Sequence, residues 1–412
     1  DGDVMDSGDV VASIKLASNP DSPSAYSSYT SSFESVEAPD ANTVVIKTER
    51  PNPLMLFDVA QLYVLKQEIA EVGTEEQVAD NVIGTGRYKF VEQVKEDHID
   101  LAANEDYWGE VPAIKNVRFR PITNEATRTA TMLTGDVDFT IDVSARDIDR
   151  LDATEGISVI KQKGLREIYL NLDSREDSPL FPGQKNPMSD VKVRQAMYLA
   201  IDEGTIIKNI MNGCAFEMNS VVPEDYVGYT EVTREAYDPE KAKELLTEAG
   251  YADGFDLAIA VPSVYEFHMQ TAEVVVEQLK AVGINATIDA VEWNTWLEDV
   301  YTNREYQATI SGITCSDLTP GYLLNRFQTD SKKNFVNFKS TEYDELWKAT
   351  QATQDAAEKA ADYKKLQTIL ADEAASAFIQ VPANTTAFNK NLAGYKFYPI
   401  YVQDMSTVYF VK

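Results

Sequence analysis

The sequence predicts an α/β fold spread over two or three domains. Hydrophobic periodicity over residues 256–312 switches between strand and helix in the order β-α-β-α-β, which requires parallel strands joined by right-handed crossovers. At 412 residues the chain is too long for one simple core. Amphipathic helices with clear start and stop signals separate the remaining strands.

Taken in order, residues 9–16 read as a short helix, and residues 20–31, rich in Ser, Pro and Tyr, as a loop. The stretch 43–48 (TVVIKT) alternates and ends at Pro51, so it is a strand. Residues 52–67 form a helical apolar stretch. Strands follow at 88–93 and 98–103, entered through the Gly84-Thr85-Gly86 turn. No Lys-Ser/Thr and no helix follow that turn, so it is a tight turn and not a phosphate loop. Residues 115–122 are a strand and 124–139 a helix ending at Gly135. Residues 166–173 (REIYLNLD) are a strand. Ser189 can cap a helix in which Val193, Ala196, Met197 and Ala200 share a face. Asp238 reads as an N-cap with Pro239 at the first helical position and Gly250 as the stop. Ala242, Leu245, Leu246 and Ala249 form the apolar stripe between them.

The β-α-β-α-β run starts with a strand at 256–262. Its first helix carries Ala272, Val275, Val276 and Leu279 on one face and stops at Gly283. Residues 284–293 alternate, with Ile284, Ala286, Ile288 and Ala290 on one side. A helix at 294–303 and a strand at 306–312 complete it. Helices at 341–353 and 355–375 and aromatic strands within 394–410 close the chain. Ligands of such sheets bind beyond the carboxyl ends of the strands. That directs attention to residues 312–327 (GITCSDLTPGYLLNRF).

A formal charge of −30, from 37 basic and 67 acidic residues, excludes a nucleic-acid-binding surface and describes a solvated acidic one. No apolar run approaches the roughly 20 residues that span a bilayer. Cys214 and Cys315 are the two cysteines; a bridge between them and two buried free thiols are both open. His98 and His268 cannot build a multi-histidine metal site and read as surface or hydrogen-bonded residues. No GxSxG, HExxH or GxxxxGK[ST] motif is present.

The run 187–207 (PMSDVKVRQAMYLAIDEGTII), followed by 237–255 (YDPEKAKELLTEAGYADGF), resembles the signature of the family 5 extracellular solute-binding proteins. These are the peptide/nickel class of receptors that deliver ligands to ABC importers. The opening Asp-Gly turn with its Asp-Val-Val helix, GTGRY at 84–88, Gly-Asp-Val-Asp at 135–138 and the Asn-aromatic run at 334–347 extend the likeness from about residue 9 to residue 410. The resemblance implies a two-lobed periplasmic-binding-protein-like fold of class II with an extra small subdomain. It also implies an N-terminally incomplete chain, because a substantial segment precedes the opening motif in complete members. On this reading residues 1–82 are the small subdomain, 83–165 part of lobe I, 166–385 lobe II and 386–412 the return to lobe I. It further implies a membrane ABC permease complex as partner and a monomer without catalytic residues, metal or cofactor. Such a protein sits on the extracellular side of the cell membrane, lipid-anchored, or in the periplasm.

In peptide-binding relatives the loop after the last strand runs Gly-aromatic-x-x-Asp, with Pro four residues later. Its main chain pairs with the ligand backbone and its Asp holds the ligand's α-amino group. With Gly312 matched and Pro320 as reference, Ile313 takes the aromatic position and Ser316 that of the anchoring Asp; Asp317 lies one residue on. Either a one-residue shift lets Asp317 serve, or the anchor is absent and a sugar, modified peptide or other neutral solute fits better. An Asx-turn beside Pro320 is the competing role for Asp317. The candidate ligand contacts are Gly312, Ile313, Thr314, Ser316, Asp317, Tyr322, Trp293 and Trp296. Trp293, at a strand's carboxyl end, is foremost, with Tyr265 nearby; Tyr107, Trp108 and Tyr169 are weaker. Core burial is the competing role for every aromatic.

The leading function is therefore a non-enzymatic importer receptor that closes two lobes on an oligopeptide. An oligosaccharide is the alternative ligand, and a nickel complex ranks last because histidine is scarce. An acidic-residue glycoside hydrolase and a ligand-sensing receptor module are the readings from other classes. Turnover separates the first from the receptor; partner data separate the second.

Overall fold

The structure is a computed structural model that describes residues 2–19, 26–49, 52, 55–224, 226–232, 236–314, 319–353, 355–398 and 402–411. The roles expected of Cys315, Ser316 and Asp317 lie outside the described residues. The chain divides into two compact units: Asp1–Asn124 with Lys390–Phe397 and Gln403–Lys412, and Glu125–Asn389 with Tyr398–Val402. These breaks differ from the sequence-based ones at 82/83, 165/166 and 385/386.

In the first unit the helix Ser7–Ser18 begins with a capping box. Asp6 accepts from Gly8 N at 2.7 Å, and Asp9 accepts from Asp6 N at 2.9 Å. Strands β1 (Phe33–Asp40) and β2 (Thr43–Thr48) form a hairpin, of which only the second strand was expected. The stretch expected to be helical over 52–67 is broken. Among its described residues, Met55–Ala60 are helical, and the next helix is Gln67–Val72. Leu65 N instead donates to Ser13 Oγ at 2.8 Å and Gln67 N to Asp9 Oδ1 at 2.8 Å, so tertiary partners replace helical ones. Within the expected 20–31 loop, Ser27–Thr30 is one helical turn. Strands β3 (Tyr88–Val94), β4 (His98–Ala103) and β5 (Asn116–Phe119) make an antiparallel sheet. The expected aromatic strands of the tail reduce to Leu392–Ala393 paired with Tyr409–Phe410. Side chains hold the tail in their place: Arg87 donates to Ser406 Oγ at 3.2 Å and Tyr88 OH to Met405 O at 3.4 Å.

The second unit is built on an eight-stranded sheet. Its strands are β6 (Phe139–Ile141), β7 (Ile157–Lys163), β8 (Arg166–Leu172), β9 (Ala215–Phe216), β10 (Phe255–Pro262), β11 (Ile284–Val291), β12 (Ala308–Thr314) and β13 (Ser376–Asn389). The order is β11-β10-β12-β8-β13-β6, with β7 and β9 also paired to β13. The expected parallel run is present: β10 pairs β11 in unbroken register from Phe255↔Ile284 to Pro262↔Val291, and pairs β12 in parallel. β8 and β13 are antiparallel to their neighbours.

Strand alternation sorts side chains into two cores. From β8, Ile168, Leu170 and Leu172 pack with Met197, Val275 and Leu279, while Tyr169 joins Trp296, Leu323 and Phe378. The alternation expected of 284–290 fades along β11. Ile284 and Ala286 are buried but Ala290 is exposed, because β11 is the sheet's edge strand.

The helix Pro239–Glu248 has the expected cap, with Asp238 accepting from Lys241 N at 3.0 Å. The helix Val191–Leu199 starts one residue later than expected. Asp190, not Ser189, accepts from Lys192 N, at 2.9 Å. Ser189 closes the preceding turn by donating to Asn186 O at 2.7 Å. The helix expected at 294–303 runs as Trp293–Thr295 and then as π-helical turns over Trp296–Thr302.

Gly254 and Gly283 precede β10 and β11 and allow the two chains to meet. A Cβ on Gly254, at φ +74°, would stand 1.8 Å from the Gly283 carbonyl oxygen. Gly254→Ala is expected to cost about 2–4 kcal/mol in urea unfolding, from backbone strain plus backbone displacement. Gly250→Ala, at φ +88° with nothing within 4 Å, should cost about 1 kcal/mol, from strain alone.

Candidate ligand-binding site

The parallel strands β10, β11 and β12 finish at one edge of the sheet, and aromatic residues gather there. Tyr265, just past β10, meets Trp293, just past β11, edge to face at 5.7 Å. Trp293 stacks on Trp296 at 5.4 Å with planes 6° apart. The Arg166 guanidinium lies over Tyr265 at 5.5 Å. Arg166 opens β8 and pairs across the sheet with Thr314, the last residue of β12. Among the described residues the β12–β10 ladder consists of Ile259↔Ala308 and Ala260↔Thr309, so Ile310–Ile313 have no ladder partner on this side of β12.

The expected contacts fall into distinct classes. Gly312 is exposed and Thr314 half-buried at the strand's end. Gly312 has to lack a side chain, since a Cβ would meet Ile168 Cδ1 at 2.9 Å and Arg166 Cγ at 3.0 Å. Ile313 is buried in the second core. Trp293 is half-buried. Trp296 is 5% exposed, and its indole N–H donates to Thr309 Oγ1 at 3.0 Å, which donates to Ala260 O at 2.7 Å; the structure gives it a packing role. Tyr322 packs under Arg326 at 5.0 Å and Lys333 at 4.6 Å. Tyr169 is fully buried. Tyr107 and the 83% exposed Trp108 belong to the first unit.

Arg166 and Glu167 were not singled out in the sequence, and His268 was not assigned to the site. Glu167 is buried, and its carboxylate accepts from the Tyr169 hydroxyl. Burial pushes its carboxyl well above the usual range, against the opposing pull of the Tyr169 hydrogen bond and the Lys163 charge. The signal that could have found it is an acid inside REIYLNLD, a strand whose Ile168-Leu170-Leu172 face is wholly apolar. His268 was expected at the surface or hydrogen-bonded. It is 2% exposed and neither ring nitrogen has a hydrogen-bond partner among the described residues. It sits instead in an aromatic cage, 4.9 Å from Tyr265 and 4.4 Å from Phe267. Burial, then the Arg166 charge, lowers its pKa to about 3.

Cys214 is a buried free thiol. Among the described residues, Glu92, His98 and Asp100 of the first unit stand close enough to share a metal ion. Arg118 already holds Asp100 at 2.7 Å, and Asp97 engages His98 Nδ1 at 2.7 Å.

Residues 1–335 match the model of the bacterial extracellular solute-binding proteins, family 5. The chain belongs to this family. It is 28% identical over 383 residues to the dipeptide-binding protein of Escherichia coli, covering 89% of this chain and 69% of that one. It is 27% identical over 348 residues to the oligopeptide-binding protein AppA of Bacillus subtilis, covering 80% of this chain and 62% of that one. Its fold matches Helicobacter pylori DppA, solved with the peptide STSA, at a TM-score of 0.82 and 25% identity, covering 99% of this chain and 82% of that one. The family 5 fold is that of two-lobed periplasmic binding proteins, as the sequence predicted. Among the described residues no helix is long and apolar enough to cross a membrane.

Two outcomes follow from the site's packing. Trp296→Ala is expected to cost about 3–5 kcal/mol in thermal or urea unfolding, whereas Trp293→Ala should cost clearly less. His268 is the second. Its folded pKa lies below its unfolded value, so between roughly pH 6.5 and 3 the unfolded chain binds more protons and stability falls as pH falls. His268→Leu should therefore remove a loss on the order of 3 kcal/mol between pH 6.5 and 4, read as a flatter melting temperature against pH.

Proposed function

We propose that this protein is the ligand-capturing component of an ABC importer and that its ligand is an oligopeptide. The observation that carries the ligand class is the end of β12. Among the described residues, Ile310–Ile313 have no ladder partner on the β10 side, and Gly312 lies exposed there, at the sheet edge where Tyr265 and Trp293 meet. An extended peptide can add its backbone to such an edge, with aromatic faces for its side chains. The likeness to dipeptide- and oligopeptide-binding proteins over 80–89% of this chain supports the same reading. A membrane permease is then the partner of the ligand-bound form. The protein acts as a monomer, without turnover, outside the cell membrane as a lipid-anchored protein or in the periplasm. Gly312, Thr314 and Trp293 are the contacts retained from the sequence-based set as accessible; Ser316 and Asp317 stay proposed contacts from the sequence alone.

Native mass spectrometry of the purified protein, followed by mild denaturation, tests the ligand class. A released series of peptides is the expected result. A released saccharide or other amine-free solute would overturn the peptide reading.

A further inference from the structure

Glu167 pairs across the sheet with Ile313, next to the proposed ligand edge. It is 2% exposed. Its Oε2 accepts from Tyr169, and no hydrogen bond among the described residues reaches Oε1. A carboxylate has about four acceptor sites, so most of this one's capacity is unused. Glu167 also lines a cavity of about 20 Å³, together with Ser220, Tyr229 and Val381. Roughly 10–15 Å³ holds one water, so the space admits one water-sized group. Exposed Glu217 and Glu224 stand at its rim. Lys163 also lines the cavity, but it is engaged: its ammonium pairs with Glu224 and lies 5.7 Å over the Phe216 ring.

Two exposed carboxylates against one paired lysine disfavour an anion, and the space excludes a guanidinium or a sugar ring. An ammonium matches both the size and the sign. We propose that this cavity is a subsite for a primary ammonium group of the captured ligand, with Glu167 as its counter-ion. The inference rests on the chain being a ligand-capturing protein. Burial favours the neutral acid, and the charge of Lys163, already engaged by Glu224, does not offset it. An arriving ammonium supplies the missing charge, and Glu167 then releases its proton to solvent, so that no lone buried charge forms at either stage. The ammonium comes from a peptide's α-amino end or from a lysine side chain.

Isothermal titration of the full chain and of Glu167→Gln decides the matter, with trialanine, N-acetyl-trialanine and N-acetyl-Ala-Lys-Ala as probes. Gln keeps the shape and an acceptor for Tyr169, and melting curves check that the variant folds. The expected result is a loss of about 10- to 100-fold for amine-bearing probes in Glu167→Gln and no change for N-acetyl-trialanine. A loss confined to trialanine identifies the α-amino group; a loss confined to N-acetyl-Ala-Lys-Ala identifies the lysine side chain. Glu217→Gln, at the exposed rim, should weaken the same probes severalfold. Equal affinities in wild type and Glu167→Gln, or an equal loss for all three probes, would overturn the assignment and leave the cavity a water site. Where no peptide binds either protein, the oligopeptide reading falls, and methylammonium chloride against sodium chloride in a thermal shift decides the cavity. Protection of wild type alone upholds the ammonium site; protection of both proteins or of neither sinks it.

Discussion

Strand β13 is the constraint on which the second unit depends. Its 14 residues bond first to β8, then to β9, then to β7 and β6. A strand with partners on both sides cannot slip by one residue without turning every side chain to the wrong face. The register shift between Phe378 and Gln380 marks the place where it leaves β8. Holding β8 in this way holds Arg166 and Glu167 opposite Thr314 and Ile313, at the end of β12. The geometry of the proposed site is thus set by a strand that contributes little to the site itself.

Polar anchors fix what the apolar cores leave free. Asp173, fully buried just past β8, accepts from Arg175 Nε at 2.8 Å, Ser178 Oγ at 2.6 Å and Asn337 Nδ2 at 2.8 Å. The turn after β8 and the distant Asn337 therefore share one carboxylate. Thr309 plays the neutral counterpart. Its hydroxyl receives the Trp296 indole and passes a hydrogen bond to β10. His268 follows the opposite rule, since its nitrogens are buried among rings with no hydrogen-bond partner among the described residues.

The parallel core was legible because its periodicity switches cleanly between two and 3.6 and because Gly250 and Gly283 end its helices. Strand β13 was not, although it organises the sheet. Pro382 interrupts its run and argues against a central strand. In the structure Pro382 stands where β13 pairs with two-residue β9, so its missing N–H falls at a change of partner. The cap at 190 and the broken helix before residue 67 were misjudged because local propensity does not register donors and acceptors that arrive from elsewhere in the chain. The aromatic half of the site was visible in Trp293 and Tyr265. Its charged half was hidden, because a buried acid or imidazole is recognised by what surrounds it.

The π-helical turns at Trp296–Thr302 have a consequence for how this segment can vary in length. Each such turn holds an extra residue compared with an α-helical one. A chain lacking one residue here could close the same span as a regular helix, leaving β11 and β12 where they are. The helical span itself can therefore absorb a single-residue deletion. Such a change would rotate whatever lies downstream of the missing residue around the helix axis, and so redirect side chains at the rim while the sheet beneath stays intact.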